Sequence, residues 1–115
     1  MIYELRHYIP IEGMKDKMRE RFARDSLPLF QKTGIKLIDF WETPDAGEIW
    51  YVVEWPSEEA VKKGWEDFIQ TPEWKEIAAR TEQDGPLSTS RGIVLKRPPF
   101  VRAEWLTPVN LTEDR

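Results

Sequence analysis

Three groups able to hold or move a proton, and a fourth that titrates near neutrality, sit together at the start of this chain, in Met1-Ile2-Tyr3-Glu4-Leu5-Arg6-His7-Tyr8. The rest of the segment is apolar and aromatic and reads as a strand. Alternation sends Ile2, Glu4, Arg6 and Tyr8 to one face and Tyr3, Leu5 and His7 to the other. A charge on a core strand costs desolvation free energy unless it is paired or faces a wet cavity. Arg6 carries a planar fork of donors suited to a carbonyl or carboxylate; set beside Glu4 it also reads as a structural ion pair. His7 is the only histidine and the only side chain whose ordinary pKa lies near neutrality, which suits general acid–base work or a satisfied structural role.

Further candidates lie at positions 39–54. Asp39 stands in an apolar stretch as a rim residue or a base. Trp41, Trp50 and Glu54 are potential ligand contacts. Tyr51 is a potential proton-transfer partner of His7 where both face one cavity. If the first and third strands are neighbours, Glu4, Arg6 and Tyr8 lie beside Trp50, Val52 and Glu54. Glu42 completes the polar set, and Ser88, Thr89 and Ser90 are ladder residues or cavity-lining hydroxyls.

The composition narrows the classes. The 115 residues are 40% hydrophobic and 33% charged, with a net charge of −4, which suits one soluble domain and argues against nucleic acid or anionic membrane as partners. No apolar run reaches the length of a membrane helix, and no basic-then-apolar leader pattern opens the chain. There are no cysteines, so disulfides, thiolate metal sites and cysteine nucleophiles are excluded. No acidic loop matches a cation motif, haem would have His7 alone as ligand, and no phosphate-binding glycine loop exists. The expectation is a cytoplasmic protein with no metal and no cofactor. In that setting the sequon Asn110-Leu111-Thr112 carries no meaning.

The elements that must position these groups are marked by glycine and proline. Met14, Met18 and Phe22 recur at four-residue spacing, the core stripe of an amphipathic helix. Pro28 is expected to kink or interrupt that helix, which ends by Gly34. Residues 35–42 and 48–55 are rich in β-branched and aromatic types, and the link 43–47 joins them as a hairpin. Ser57 caps a helix with Val61, Trp65, Phe68 and Ile69 as its apolar stripe. Thr71-Pro72 restarts a helix, and a last strand covers about 88–96. The order is β-α-β-β-α-β, an α+β, ferredoxin-like arrangement with an antiparallel sheet. Helices cover one face of such a sheet. The other would expose aromatic strands, so a homodimer closing two sheets into a barrel is expected.

Several of these stretches resemble the NIPSNAP family, a branch of the dimeric α/β-barrel superfamily. They are Met1 to Arg6 (MIYELR), Pro28, Gly34 with Lys36-Leu37, Phe40-Trp41, Pro72-Glu73-Trp74 and the closing Leu95-Lys96-Arg97-Pro98-Pro99-Phe100. The resemblance implies one domain over residues 1–100; the tail over 101–115, with proline and scattered apolar residues (Trp105, Leu106, Val109), is expected to pack as an arm on the partner subunit. Its wider superfamily holds cofactor-free monooxygenases, haem-degrading enzymes, cyclases, isomerases and binding proteins. The chain departs from the family where His7 replaces a small hydroxyl residue and Asp39 a small one. It also has Val53 in place of a common tryptophan, and Trp50 in place of a smaller residue. These changes mean either a specialised pocket or drift. The reading is a dimer binding a small, partly apolar or aromatic molecule. Arg6, His7 and Tyr51 are its catalytic candidates, and Glu4, Tyr8, Asp39, Trp41, Trp50 and Glu54 its binding candidates. The reading is either a cofactor-free cyclase, isomerase or monooxygenase acting on an aromatic or polyketide-like substrate, or a non-catalytic binding or assembly module.

Overall fold

The computed structural model describes residues 1–45, 47–108 and 111. Four strands, β1 (Ile2–Pro10), β2 (Lys36–Glu42), β3 (Ile49–Trp55) and β4 (Ser88–Leu95), form one antiparallel sheet in the order β2-β3-β1-β4. Helices α1 (Lys15–Arg21), α2 (Leu27–Thr33), α3 (Glu58–Gln70) and α4 (Pro72–Thr81) complete the ferredoxin-like α+β domain. The asparagine and threonine of the sequon, and residues 109–110 and 112–115 of the expected partner-binding tail, lie outside the described residues.

The α-helical run is interrupted just before Pro28, as expected. The stretch widens into a π-helical segment, Phe22–Ser26, in which the Leu27 N–H bonds the Phe22 carbonyl five residues back. Pro28 then falls in the first turn of α2, where its missing donor is not needed. Gly34 ends the helix with φ +84, a left-handed cap that favours glycine. Met18 and Phe22 are buried as their spacing predicts. The caps also stand: Ser57 Oγ accepts the Ala60 N–H, and Thr71 Oγ1 accepts the Trp74 N–H. Ile69 departs from the expected stripe and is 48% exposed, because α3 turns Trp65 and Phe68 towards Phe30.

β3 alternates without a break, with Ile49, Tyr51, Val53 and Trp55 buried under the helices. Its register with β1 sets Glu4 against Val53, Arg6 against Tyr51 and Tyr8 against Ile49. Glu4, Arg6 and Tyr8 therefore share the helix-covered face with Tyr51, and not the bare face with Trp50, Val52 and Glu54. Pairing two strands antiparallel fixes which partner residues share a face, and a slip of one residue inverts the assignment. The helices leave β4 open: Thr89 to Leu95 are exposed on both faces.

Two glycines mark close approaches on the helix face. A Cβ at Gly64 in α3 would clash with the indole ring of Trp55, so the ring lies directly against bare helix backbone. Mid-helix Gly→Ala ordinarily stabilises by about 1 kcal/mol. Gly64→Ala should instead destabilise this domain by about 1–3 kcal/mol through overpacking, read by urea unfolding followed by circular dichroism. A more stable variant would contradict the packing described.

Candidate functional site

The helix face of β1 carries the site. Glu4 is 4% exposed, and a carboxylate that deep must be hydrogen-bonded to be tolerated. Three donors meet it. Its Oε1 accepts the indole N–H of Trp55 at 3.2 Å and that of Trp65 at 2.7 Å, and its Oε2 accepts Arg6 Nη1 at 3.2 Å. Gly92 lies opposite Arg6 on β4, and a Cβ there would strike Glu4 Oε2 and come within 2.7 Å of Arg6 Nη1. The missing side chain is the hollow in which the ion pair lies.

From Glu4 the network runs outward. Arg6 Nη2 donates to Tyr8 Oη at 3.2 Å and to Ser90 Oγ at 3.3 Å. Its guanidinium sits 5.3 Å from the Tyr8 ring and 5.5 Å from that of Trp65, within cation–π range. Burial works against the cation, but Tyr8, Tyr51 and Glu4 more than offset it and hold the pKa above the usual arginine value. Tyr8 Oη lies 3.1 Å from Tyr51 Oη, and the two rings stack. Tyr51 is wholly buried; burial first, and its closeness to Tyr8 second, push its phenol well above the ordinary range. The Arg6 Nε has no hydrogen-bond partner among the described residues and is shut off from water.

The remaining candidates lie on the other face. One row crosses all four strands there: Trp41, Trp50, His7 and Arg91. His7 stacks on Trp50 at 3.7 Å, and its Nε2 lies 2.6 Å from Glu48 Oε1. His7 and Tyr51 therefore stand on opposite sides of the sheet and form no proton-transfer pair. Asp39 accepts the Phe40 N–H at 2.7 Å beside a bulge that leaves Ile38 unpaired in the ladder, and Glu54 sits opposite Lys36. The structure thus divides the candidates. Glu4, Arg6, Tyr8 and Tyr51 come together, whereas His7, Asp39, Trp41, Trp50 and Glu54 do not join them.

Trp55, Trp65 and Gly92 belong to the site and were not singled out by sequence pattern. Trp65 read as core stripe, 61 positions away from the carboxylate it binds. The available signal was chemical: a buried Glu4 needs donors, and an indole N–H is a donor that a core can hold. A cleft of about 400 Å³ opens elsewhere, between β2 and the α1–π stretch, lined by Phe22, Phe40 and Ile49 with Arg19 and Glu42. Among the described residues no group of three or more His, Asp or Glu is placed to hold a metal ion.

The NIPSNAP family model matches residues 3–102. The chain belongs to the NIPSNAP family. This NIPSNAP chain is similar in fold to a crystallised NIPSNAP-like domain protein from Burkholderia xenovorans (20% identity, TM-score 0.70, covering 98% of this chain and 97% of that one). A NIPSNAP family protein from Agrobacterium tumefaciens is 15% identical with a TM-score of 0.72, covering 86% and 94%. A candidate antibiotic biosynthesis monooxygenase from Nitrosomonas europaea shares the fold at 9% identity and a TM-score of 0.58, over 84% and 98%. No curated protein matches the chain.

Two outcomes follow from this geometry. Trp65→Phe keeps the aromatic packing and removes the shorter indole bond to Glu4, so it should cost about 1–3 kcal/mol in chemical denaturation; an unchanged stability would sink the role given to Trp65. Tyr51, raised in the folded state, favours folding fully below the ordinary phenol pKa of about 10, and this contribution fades as pH rises above it. Ultraviolet titration should find one of the three tyrosines resisting ionisation until the protein unfolds, and Tyr51→Phe should remove that late step alone.

Proposed function

We propose that this NIPSNAP protein binds a small, partly apolar molecule on the helix face of each subunit, against Arg6. One observation carries the reading. Arg6 is a largely buried cation with a hydrogen to spare on Nη1, and it borders the strip of β4 that no helix among the described residues covers. The glutamate serves as the anchor of Arg6 and not as a ligand contact, because both its oxygens are engaged.

Binding without chemistry is the reading favoured here over catalysis. His7 lies on the far face, and Glu4, the carboxylate beside Arg6, is engaged by three donors. A cofactor-free cyclase, isomerase or monooxygenase built on this site would have to work through Arg6 and the Tyr8–Tyr51 hydroxyl pair, with the substrate supplying its own acid or base. A cytoplasmic setting suits a chain without cysteine.

The bare sheet face is the place for a second copy. Leu5, Val52, Ile93 and Leu95 lie in its central rows, with Ile93 at 45% and Leu95 at 43% exposure, and Trp41 stands at its edge. Apolar rows of this kind across a sheet are what a two-fold partner covers.

Two experiments test these statements. Calorimetric screening of small aromatic compounds should give binders whose affinity falls at least about tenfold in Arg6→Met, the scale of one charge-assisted hydrogen bond; affinity that survives the substitution removes Arg6 from the site. In sedimentation velocity the wild type should run as a dimer and Ile93→Asp as a monomer, with Ile69→Asp on the exposed side of α3 as the control. A monomeric wild type would end the dimer reading.

A further inference from the structure

The hydrogens around Arg6 can be counted. A guanidinium has five N–H groups and no acceptor. Three are spent, on Glu4, Tyr8 and Ser90; the Nε–H is shut off from solvent, which leaves one hydrogen on Nη1 for a ligand. Either hydroxyl of the Tyr8–Tyr51 pair can donate to the other; Tyr51 is wholly buried with Tyr8 Oη as its side-chain partner, and we take Tyr51 as the donor. Tyr8 Oη then receives two hydrogens, from Tyr51 and from Arg6, and its own hydroxyl hydrogen is unspent. Ser90 Oγ also receives from Arg6 and keeps its own hydrogen. The carboxylate that would balance these donors, Glu4, already holds three.

The exposed strip of β4 beside Arg6 is therefore lined by donors. Tyr8 and Ser90 face each other across the β1–β4 ladder, with Arg6 and Gly92 as the next pair on the same face. Apolar surface flanks them: the half-buried Trp65 ring next to Arg6, and Val94, which is 46% exposed and sits opposite Glu4.

We propose that the Arg6 site selects an oxyanion, a carboxylate or a stabilised enolate carried on a flat apolar body, and that Tyr8 and Ser90 are the residues that set this specificity. The inference rests on the reading of Arg6 as a ligand site. An anion with two or three lone pairs satisfies the unspent hydrogens of Arg6, Tyr8 and Ser90 together. A neutral alcohol satisfies one at a time, and an ammonium group adds a cation to a cation.

Calorimetric titration of the wild type with three ligands that share one body tests it: 2-naphthoate, 2-naphthalenemethanol and 2-naphthylmethylamine. Naphthoate should bind at least about tenfold more tightly than the other two, the scale of one hydrogen bond to a charge. Tyr8→Phe and Ser90→Ala should each weaken naphthoate several-fold and leave the alcohol unchanged. Tyr8→Phe retains the ring that packs on Phe22 and Tyr51, and thermal melts establish that both variants are folded. Arg6→Lys, which keeps the charge and loses the fork, should fall between the wild type and Arg6→Met. Equal affinity for the alcohol or the amine, abolished by Arg6→Met, would overturn the oxyanion assignment and leave the site standing. Naphthoate binding insensitive to Arg6→Met, or no binding of any of the three, would overturn the site itself and the inference with it.

Discussion

The buried carboxylate of Glu4 organises the domain. An ionised side chain at this depth is tolerated only where donors surround it, and the donors come from three separate elements: Arg6 on β1, Trp55 on β3 and Trp65 on α3. Meeting that demand fixes how α3 docks on the sheet. It requires Trp55 to lie against the backbone of Gly64, and Gly92 to leave room across the ladder. The same demand draws the Arg6 guanidinium in from solvent and aims its remaining donors at Tyr8 and Ser90. A structural need, satisfied by several aromatic groups, thus becomes a preorganised cation next to the exposed strand β4.

β1 serves two purposes because its two faces differ. One lies under the helices and carries Glu4, Arg6 and Tyr8. The other carries Tyr3, Leu5 and His7 in rows that continue onto β3 and β4. His7 is packed flat on Trp50 and tied to Glu48, which fits a residue that shapes a sheet surface more than one poised for proton transfer beside Arg6. Ligand recognition and subunit pairing, as proposed, use opposite sides of one strand. Neither interferes with the other, and both depend on the register that β3 imposes.

The π segment shows how a local conflict is absorbed. Pro28 lacks the N–H that would continue the α-helical ladder. Widening the preceding turn shifts the hydrogen-bond register, and Met18, Phe22, Leu29 and Phe30 all remain on the buried side. Phe22 in turn presents its edge to Tyr8, so the outcome of that conflict reaches the tyrosine pair beside Arg6.

Much of the fold was legible in the chain itself, because its causes are local. Strand alternation, the Ser57 and Thr71 caps, the turn at Gly34 and the element order each depend on a few neighbouring residues, and together with the family likeness they determine a ferredoxin-like domain. Alternation also told Glu4, Arg6 and Tyr8 apart from His7. What it left open was which face the helices cover and which residues of β3 come opposite, and here the expected neighbours Trp50, Val52 and Glu54 gave way to Ile49, Tyr51 and Val53. A one-residue difference in register inverts every such pairing, and nothing within β1 or β3 alone sets it. The indole of Trp65 and the hollow at Gly92 lie 61 and 88 positions from Glu4. Only tertiary packing, which brings distant donors to a buried charge, decided that they belong to one site.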